Sequence, residues 1–378
     1  MKKVLTLALA LCLGMLVSVS SAAASGKIRV LVMDNLPGVT LDFPPEFNVK
    51  GLSGIGETEP DGHGGVRMTL SGNNCPVGGL RINTDGVVIN ADKYALTGVI
   101  EIKKNPGGLF RIINELGLED YTRAVVGEEM GADWPLEALK AQAVLARTYA
   151  MYRKQNRCGR STGFEKDYDL CATVKSQMFD GDAVEKEGPA LAARETRGEI
   201  LTYDGAPIEA VYHSTCGGRT EDAYDVWGRK YPYLVSIKCR YCADSPYRRW
   251  KKQIKISVLY SSLRRAGYMI DGLKAIQVLE RSRSKRIKTL RIIGDSGSVA
   301  MKGTDFRKAV GYSEIPSTAF EAHKDGDSFV FIGKGSGHGV GLCQYGARGM
   351  ALAGKNYREI LRYYYPGTTL TKLSEEPK

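Results

Sequence analysis

Residues 136–150 read Leu-Glu-Ala-Leu-Lys-Ala-Gln-Ala-Val-Leu-Ala-Arg-Thr-Tyr-Ala and lie within a chain of 378 residues. Small and apolar side chains recur in this stretch at helical spacing, at Leu136, Leu139, Ala143, Ala146 and Ala150. The further alanines at positions 138 and 141 make a thin helix that neighbouring elements can approach closely. We therefore predict a core helix over residues 133–153, with Asp133 as its N-cap and Pro135 in its first turn.

The segments on either side of this helix are richer in strand patterns. From Lys27 to Ile113, short apolar or alternating runs are separated by Gly, Asn, Asp and Pro, which is typical of strands joined by turns. Further helices are predicted over residues 119–130, 188–196, 258–266 and 347–353. Further strands are predicted at Glu199–Tyr203, Ile208–Tyr212, Leu290–Ile293 and Ser328–Ile332. The basic run over residues 281–288 is interpreted as a solvated hairpin tip rather than a wall-binding patch.

This order of elements predicts an α+β protein. It has a β-rich N-terminal region over residues 25–115, followed by a region over residues 116–372 that begins with the Ala-rich helices and ends with further strands and a Gly-rich motif. We find no internal repeat and no linker long enough to separate independent domains. A hydrophobic content of 43% is that of a globular chain and excludes a disordered one.

The N-terminus has the three parts of a secretory signal. Lys2 and Lys3 precede a mostly apolar run over residues 4–19, and small residues follow up to Ala24, after which we expect cleavage. A lipoprotein signal at Cys12 is the weaker alternative, because the large Leu11 precedes that cysteine. We therefore expect an exported protein of the periplasm or cell envelope, without a transmembrane segment in the mature chain.

The charge of the chain is basic, with 53 Lys and Arg against 42 Asp and Glu and a formal net charge of +11. Loss of residues 1–24 removes two lysines, one of eight cysteines and no acid, so the mature chain keeps +9 and seven cysteines. Export excludes nucleic acid as an expected partner. The basic balance favours an anionic envelope polymer or membrane surface, or serves solubility alone.

One carboxylate stands out on the helix predicted before the Ala-rich one. Its apolar face is defined by Leu118, Tyr121, Val125, Val126 and Met130. Glu129 points along the middle of that face, and Glu128 points about 90° away. A carboxylate directed into an apolar face loses solvation, so its pKa rises and it can act as a general acid. The alternative is a helix end where Glu129 turns back to solvent.

Several segments together resemble one family. They are 118–121 (Leu-Glu-Asp-Tyr), 125–130 (Val-Val-Gly-Glu-Glu-Met), 137–150 within the Ala-rich helix, 212–220 (Tyr-His-Ser-Thr-Cys-Gly-Gly-Arg-Thr) and 335–347 (Gly-Ser-Gly-His-Gly-Val-Gly-Leu-Cys-Gln-Tyr-Gly-Ala). In this order, over most of the chain from Lys27 to Thr369, they resemble the stage II sporulation protein D family, also described as amidase enhancer LytB-like.

The resemblance implies a peptidoglycan lytic transglycosylase. Such an enzyme cuts the bond between N-acetylmuramic acid and N-acetylglucosamine and leaves a 1,6-anhydro end, and the family prefers glycan strands that lack stem peptides. The family's acid is the Glu of a Glu-Met pair, which is Glu129 in this sequence and agrees with the helical-face argument. A single carboxylate suffices because the sugar's own C6 hydroxyl takes the place of water or a protein nucleophile.

Cysteine and histidine spacing predicts a metal site. His213 and Cys216 form one close pair, and Cys239 and Cys242 form a second, which is typical of a tetrahedral zinc site with a structural rather than catalytic ion. The alternative in an oxidising compartment is a disulfide between Cys216 and one of the other two cysteines.

Some family members bind zinc elsewhere, through a Cys followed by a His-Cys pair. Here Cys171 stands, but Lys175 and Ser176 occupy the pair, so that site looks lost. Cys158 and Cys171 flank a polar loop and are a further candidate disulfide.

Substrate-binding roles are predicted for four residues. His338 lies in a run of glycines where the backbone can approach a ligand closely, and Gln344 and Tyr345 belong to the same motif. This motif is not a phosphate loop, since the Lys-Ser/Thr ending is absent. Arg147 either holds a substrate carboxylate or forms a structural ion pair. Cys343 receives no nucleophilic role, because many relatives have Ser at this place.

Two other functions compete with the glycan-cleaving enzyme. The first is a non-catalytic peptidoglycan-binding protein that stimulates a cell-wall amidase, as the second family name suggests. The second is a zinc hydrolase that uses the region of His213 and Cys216. The expected partners are therefore peptidoglycan glycan strands and, in the first alternative, an amidase.

Overall fold

The computed structural model of the chain describes residues 26–374 except 53, 73, 77, 106, 157–166, 174–175 and 182–185. The predicted signal segment, Cys12 and Cys158 lie outside the described residues, and so does the candidate disulfide to Cys158. Within the described residues the fold is a mixture of helices and several sheets with a β-rich N-terminal region, so the predicted α+β class is confirmed.

The N-terminal region forms two five-stranded sheets from nine strands and one strand that follows the helices. The first sheet has the order β10-β1-β9-β8-β5, and the second has the order β3-β4-β2-β6-β7. In β2 the side chains of Val39, Leu41 and Phe43 alternate inward, as expected for a half-buried strand. The strands are β1 Lys27–Leu36, β2 Gly38–Phe43, β3 Glu57–Pro60, β4 Val66–Ser71, β5 Leu80–Asn83, β6 Ile89–Ala91, β7 Tyr94–Leu96, β8 Val99–Lys104, β9 Phe110–Gly117 and β10 Leu170–Cys171.

Eight α-helices are present in the described part of the chain. They are α1 Leu118–Glu129, α2 Leu136–Gln155, α3 Glu187–Glu195, α4 Ala223–Trp227, α5 Ile256–Arg265, α6 Gly303–Val310, α7 Gln344–Leu352 and α8 Tyr357–Tyr364. None of the described helices is long and apolar enough to cross a membrane.

Helix α2 is the centre of the main hydrophobic core. Thirteen of its twenty residues are buried, because its alanines let α1, α3, α7 and α8 approach it from several sides. The helix begins at Leu136, so the predicted N-cap at Asp133 is wrong. Pro135 is itself the N-cap, with ψ of 132°, rather than a residue of the first turn, and its ring disfavours the helical conformation at Trp134, so α2 begins after it.

The C-terminal part adds smaller sheets. Its strands are β11 Glu199–Tyr203, β12 Ala206–Pro207, β13 Tyr212–His213, β14 Trp250–Lys255, β15 Ala275–Arg281, β16 Ile287–Ile293, β17 Ser298–Lys302, β18 Phe320–Asp325, β19 Ser328–Gly333, β20 Leu342–Cys343 and β21 Thr369–Lys372. Strands β14 to β19 and helices α5 and α6 build a second hydrophobic core around Phe306, Phe320 and Phe331. The segment of the basic run is a hairpin between β15 and β16, as predicted, but it is not fully solvated, because Arg286 is buried and donates to backbone carbonyls.

One predicted strand is shorter than expected. Of Ile208–Tyr212, only Tyr212 joins a sheet, where β13 pairs in parallel with β20. The Val211 amide donates a hydrogen bond to the Glu209 carbonyl, and this tight turn takes the preceding residues out of a regular ladder. The short β13–β20 pair brings the segment around Tyr212 beside the Gly-rich motif.

Candidate functional site

Glu129 is the last residue of α1, and its side chain is turned inward. Tyr121, Val125 and Val126 fix the orientation of α1 by packing into the core. The side chain of Glu129 is half-buried, and its Oε1 accepts a hydrogen bond of 2.8 Å from the Met178 amide. The alternative that Glu129 turns back to solvent at the helix end therefore does not hold.

Glu128 occupies a different environment from its neighbour. It is an exposed residue, and its carboxylate lies 3.1 Å from the Lys186 ammonium, which also donates to the Gly127 carbonyl at 2.9 Å. Asp180 lies nearby, and burial together with the Glu128 charge raises the pKa of the Asp180 carboxyl. The two adjacent glutamates thus face different surroundings, as the helical construction predicted.

Burial is the first cause of the raised pKa of Glu129. Hydrogen bonds from the Met178 amide and from the side chains of Tyr212 and Gln344 act in the opposite direction, and the net pKa stays above that of an ordinary glutamate. A carboxyl group in this position holds its proton to a higher pH. The same three donors are placed to stabilise the carboxylate that forms after the proton has left.

A chain of buried polar groups leads to Glu129. The Tyr121 hydroxyl donates to Gln177 Oε1 at 2.7 Å, and Gln177 Nε2 donates to the Tyr212 hydroxyl at 3.1 Å. Because the Tyr212 hydroxyl accepts from Gln177, its own proton is available for a hydrogen bond to the carboxylate of Glu129. Burial holds the pKa of both tyrosines well above the ordinary value, so both remain protonated donors.

Two residues of the Gly-rich motif meet the end of α1. The Gln344 side chain is buried, and its Nε2 donates to the Glu129 backbone carbonyl at 3.1 Å. The Tyr345 ring lies 5.0 Å from the Trp134 ring, edge to face, and both side chains are partly exposed. The structure thus brings Gln344 to the candidate acid and Tyr345 to Trp134. Trp134 has no place in the sequence-based site, although it stands only five residues after Glu129.

His338 lies behind Tyr212. Its Nδ1 accepts the Val340 amide at 3.1 Å, and its ring packs 5.2 Å from Trp227 and 5.6 Å from His213. Burial lowers the pKa of His338 to about 4, while a hydrogen bond to the Tyr212 backbone works against that shift. His338 is therefore neutral at neutral pH, and its Nε2–H is directed at the strand that carries Tyr212. In this position His338 supports the strand of Tyr212, and its predicted role in substrate binding stays a prediction.

The depressed pKa of His338 makes the stability of the protein depend on pH. The unfolded imidazole binds a proton below about pH 6.5, whereas the folded one binds it only below about 4, so stability falls as the pH is lowered through this window. Between these two pH values we expect the free energy of unfolding of the wild type to fall by about 2–3 kcal/mol more than that of His338→Gln. Denaturant unfolding at several pH values measures this difference. His323→Gln, at an exposed histidine, serves as the control and should keep the wild-type slope.

Arg147 does not reach this site, and its predicted substrate-binding role is corrected. The side chain is fully buried in α2, and its guanidinium makes two hydrogen bonds of 3.0 and 2.7 Å to Glu119. It also donates to the carbonyls of Glu199 and Ala193 at 2.9 and 3.3 Å. All of these acceptors belong to the protein. Arg147 therefore forms a structural ion pair with Glu119 and links α2 to α1, α3 and β11.

Four buried cysteines form a cluster at the β13–β20 pair, where Cys343 is the last residue of β20. The sulfurs of Cys216, Cys239, Cys242 and Cys343 all lie within 4.8 Å of one another. None of these four cysteines forms a disulfide. Hydrogen bonds among the thiols lower the pKa of Cys242 and raise that of Cys216. Four cysteines in this arrangement are able to hold a soft metal ion.

The cluster corrects one member of the predicted ligand set. Cys343 takes the fourth place, whereas the His213 Nδ1 lies 3.0 Å from the Val340 carbonyl oxygen. The parallel register of β13 and β20 pairs His213 with Cys343, but His213 is not one of the residues whose ligand atoms all lie within 4.8 Å of one another. Cys343 was set aside in the sequence because of its serine-like place in the Gly-rich motif. The signal available in the sequence was a fourth cysteine, Cys343, in addition to the three cysteines at zinc-like spacing.

Comparison with known proteins gives two family matches. Residues 107–203 match the model of a family described as stage II sporulation protein, and residues 239–341 match a domain of unknown function. The first match contains α1, α2 and α3, and therefore Glu129. The second contains the whole of the second hydrophobic core and ends within the Gly-rich motif.

Three curated proteins illustrate the similarity. An uncharacterized protein of Brachyspira hyodysenteriae is 36% identical over 68% of each chain. Stage II sporulation protein D of Bacillus subtilis is 32% identical over 74% of this chain and 83% of its own length. The amidase enhancer of Bacillus subtilis is 30% identical over 66% of this chain, which spans 40% of that longer protein.

Proposed function

The chain belongs to the stage II sporulation protein D family, and on this premise we propose that it is a peptidoglycan lytic transglycosylase with Glu129 as its acid and base. The observation that carries the proposal is the half-buried carboxyl of Glu129, whose pKa is raised by burial and which faces three hydrogen-bond donors. The expected substrate is the glycan strand, preferably without stem peptides. We also propose an exported protein of the periplasm or cell envelope.

The proposed reaction uses one carboxyl group in two steps. Glu129 donates its proton to the bridging oxygen of the glycosidic bond as the C1–O bond of N-acetylmuramic acid breaks. The resulting carboxylate then accepts the proton of the C6 hydroxyl, whose oxygen bonds to C1 and closes the 1,6-anhydro ring. The Met178 amide and the Tyr212 hydroxyl stabilise the carboxylate between the steps.

The surroundings of Glu129 suit this intramolecular reaction better than hydrolysis. Hydrolytic glycosidases require a second carboxylate as base or nucleophile across the scissile bond. Among the described residues, the carboxylate whose charge acts on the pKa of Glu129 is Glu128, which is turned to Lys186. A sugar that supplies its own nucleophile needs no second carboxylate.

We assign different roles to the other residues near Glu129. Gln344 holds the end of α1 through the Glu129 carbonyl, and His338 supports the strand of Tyr212, so both are positioning residues. Tyr345, which follows Gln344 in the chain, and Trp134 present partly exposed aromatic rings that pack against each other. Such rings offer flat apolar surfaces with polar edges, which suits contact with the faces of sugar rings.

Tyr212→Phe is expected to reduce kcat by about tenfold with KM unchanged, because a hydrogen bond to a charged group is lost. The Tyr212 hydroxyl lowers the pKa of Glu129, so the basic limb of the pH–rate profile should move to higher pH in the variant. Tyr121→Phe is the matched control, since Tyr121 reaches Glu129 only through Gln177 and Tyr212. An unchanged basic limb in Tyr212→Phe would contradict the proposed contact.

The competing proposal is a non-catalytic protein that binds peptidoglycan and stimulates a cell-wall amidase, and one relative is named amidase enhancer. The two proposals separate when purified glycan strands are incubated with the protein alone and chain length is followed by chromatography. Shortening by wild type supports the enzyme. Unchanged strands, together with stimulation of an amidase that survives in Glu129→Gln, would favour the enhancer.

We further propose that the cysteine cluster binds zinc. Four buried thiols suit this ion and leave no open coordination position, so the ion is structural and takes no part in the reaction, unlike in the zinc-hydrolase alternative. Metal removal under reducing conditions is expected to lower the melting temperature by about 10 °C, because metal binding is linked to folding. Differential scanning calorimetry with and without chelator tests this, and readdition of zinc should restore the original transition.

A further inference from the structure

Hydrogen-bond donors surround the sulfurs of the cysteine cluster. The Cys216 and Gly346 amides donate to Cys343 Sγ at 3.2 and 3.3 Å, and the Gly218 amide donates to Cys216 Sγ at 3.3 Å. The Tyr364 hydroxyl lies 3.2 Å from Cys239 Sγ. Neutral thiols are weak acceptors, so buried donors directed at sulfur favour thiolates. Four thiolates this close together require a cation between them.

The size of the cluster fits a single tetrahedral ion. A zinc–sulfur bond of about 2.3 Å gives sulfur–sulfur distances of about 3.8 Å in a tetrahedron. Here the Cys216 and Cys242 sulfurs are 3.5 Å apart, and all four sulfurs lie within 4.8 Å of one another. Because Gly346 has no side chain, Cys239 and Tyr364 can lie close to its backbone. A Cβ at this residue would stand 2.9 Å from Cys239 Sγ and closer still to the Tyr364 hydroxyl. Side-chain adjustments of less than an ångström would close the site.

A buried cation balances the charge that this site would carry. Arg286 is 2% exposed, and its guanidinium donates to the backbone carbonyls of Cys216 and Arg219 at 3.1 and 3.2 Å. In the described part of the chain, no carboxylate lies within 4 Å of this guanidinium. The buried carboxylate of Glu221 acts on Arg286 through Ser284, which donates to Glu221 at 2.6 Å and accepts from Arg286 at 3.3 Å. A zinc ion with four thiolates has a net negative charge and would add a second favourable charge beside this buried arginine.

The cluster also lies next to the residues that surround Glu129. Cys343 pairs with His213 across β13 and β20, in the same register that pairs Tyr212 with Leu342. It is followed directly by Gln344, which holds the Glu129 carbonyl. Cys216 lies four residues after Tyr212. An ion at the cluster would therefore join the two chain segments that carry Tyr212 and Gln344.

We propose that Cys216, Cys239, Cys242 and Cys343 bind one zinc ion as four thiolates, and that this ion fixes Tyr212 and Gln344 against Glu129. The ligand set is independent of the reaction proposed above. Only the consequence for Glu129 rests on the proposed function. Metal content and backbone exchange test the inference without any measurement of activity.

The first experiment measures metal by inductively coupled plasma mass spectrometry in mature protein purified under reducing conditions. Wild type, His213→Gln and Cys75→Ser should each contain about one zinc per chain, the last being a buried cysteine outside the cluster. Cys343→Ser should lose its zinc to a chelator at least about tenfold more readily. Zinc loss in His213→Gln but not in Cys343→Ser would overturn the ligand set, and so would disulfides among these cysteines in the wild type.

Cobalt substitution tests the ligand set in the wild-type protein, so its result does not depend on whether a variant folds. Tetrahedral four-thiolate coordination predicts strong sulfur-to-cobalt charge-transfer absorption with an intensity that corresponds to four thiolates. Absorption that corresponds to three thiolates, or an octahedral spectrum, would contradict the proposed site. Binding of iron in place of zinc in the purified protein would overturn the identity of the ion.

Hydrogen exchange measures the positioning effect. Removal of zinc should increase the exchange of amides in residues 212–216 and 342–346, while amides in the middle of α2 remain protected. Equal exchange with and without metal would overturn the positioning role, even if zinc is bound. If these changes occur and glycan strands stay intact in every assay, the proposed reaction fails and the metal site stands.

Discussion

Replacing Glu129 by Gln is expected to reduce the rate of glycan cleavage by about a thousandfold while the fold remains intact. The amide keeps the size of the side chain and an oxygen for the Met178 amide, but it has no acidic proton for the leaving sugar. General acid–base catalysis contributes about 10² to 10⁴ in rate, and here one group supplies both steps. Initial rates on purified glycan strands, with circular dichroism and melting temperature alongside, measure the effect.

Glu128→Gln is the matched control for this variant. It changes the adjacent residue in the same way, but it removes a carboxylate that faces Lys186 at the surface. Its rate should stay within about threefold of wild type, since exposed ion pairs contribute little. A large loss in Glu128→Gln together with a small one in Glu129→Gln would reverse the assignment of the acid.

The largest expected effect on stability comes from Arg147→Met. The variant removes a fully buried guanidinium and leaves the Glu119 carboxylate, 23% exposed, without its ion-pair partner. Breaking a buried pair from one side costs about 3–5 kcal/mol, because the remaining charge is poorly solvated. The backbone carbonyls of Glu199 and Ala193 also lose a donor. Denaturant unfolding monitored by circular dichroism gives the change in the free energy of unfolding.

An exposed ion pair provides the comparison for Arg147. Lys355 and Glu359 face each other at 2.9 Å near the start of α8, and both side chains are more than 40% exposed. Lys355→Met should therefore change stability by less than about 1 kcal/mol. If Arg147→Met were equally mild but abolished substrate binding, Arg147 would have to be a substrate contact, the first of the two alternatives that the sequence left open.

The helical elements and the inward-facing carboxylate of Glu129 could be predicted because their signals are local. A period of 3.6 residues identified α1 and α2, and the apolar face of α1 indicated which of Glu128 and Glu129 turns inward. The pairs Cys239–Cys242 and His213–Cys216 suggested a metal cluster by spacing alone. Such patterns depend on side chains close together in the sequence, and the fold only has to preserve them.

The remaining parts of the site depend on contacts between distant segments. Met178 acts through its backbone amide, which no residue type reveals. Tyr212 and Gln344 meet at Glu129 only because β13 and β20 pair across more than a hundred residues of sequence. Arg147 shows the opposite failure, since a buried arginine in a family motif looks the same in sequence whether it binds substrate or pairs with Glu119.

The neighbouring elements explain how α1 can hold a partly desolvated carboxyl at its last residue. A buried unpaired charge is costly, and the end of α1 therefore needs rigid neighbours. Gln344 holds the Glu129 carbonyl, and Tyr212 is itself held by Gln177. Because these partners come from separate segments, disturbance of either the β13–β20 pair or the cysteine cluster should reach Glu129.

The most direct measurement is mass spectrometry of the products after mature protein, and separately Glu129→Gln protein, acts on purified glycan strands with and without stem peptides. The account predicts 1,6-anhydro-N-acetylmuramic ends with wild type, more of them on strands without stem peptides, and none above background with the variant. Reducing ends would contradict it, because they require an attacking water and a second base. Anhydro ends formed equally by Glu129→Gln would contradict the role of Glu129.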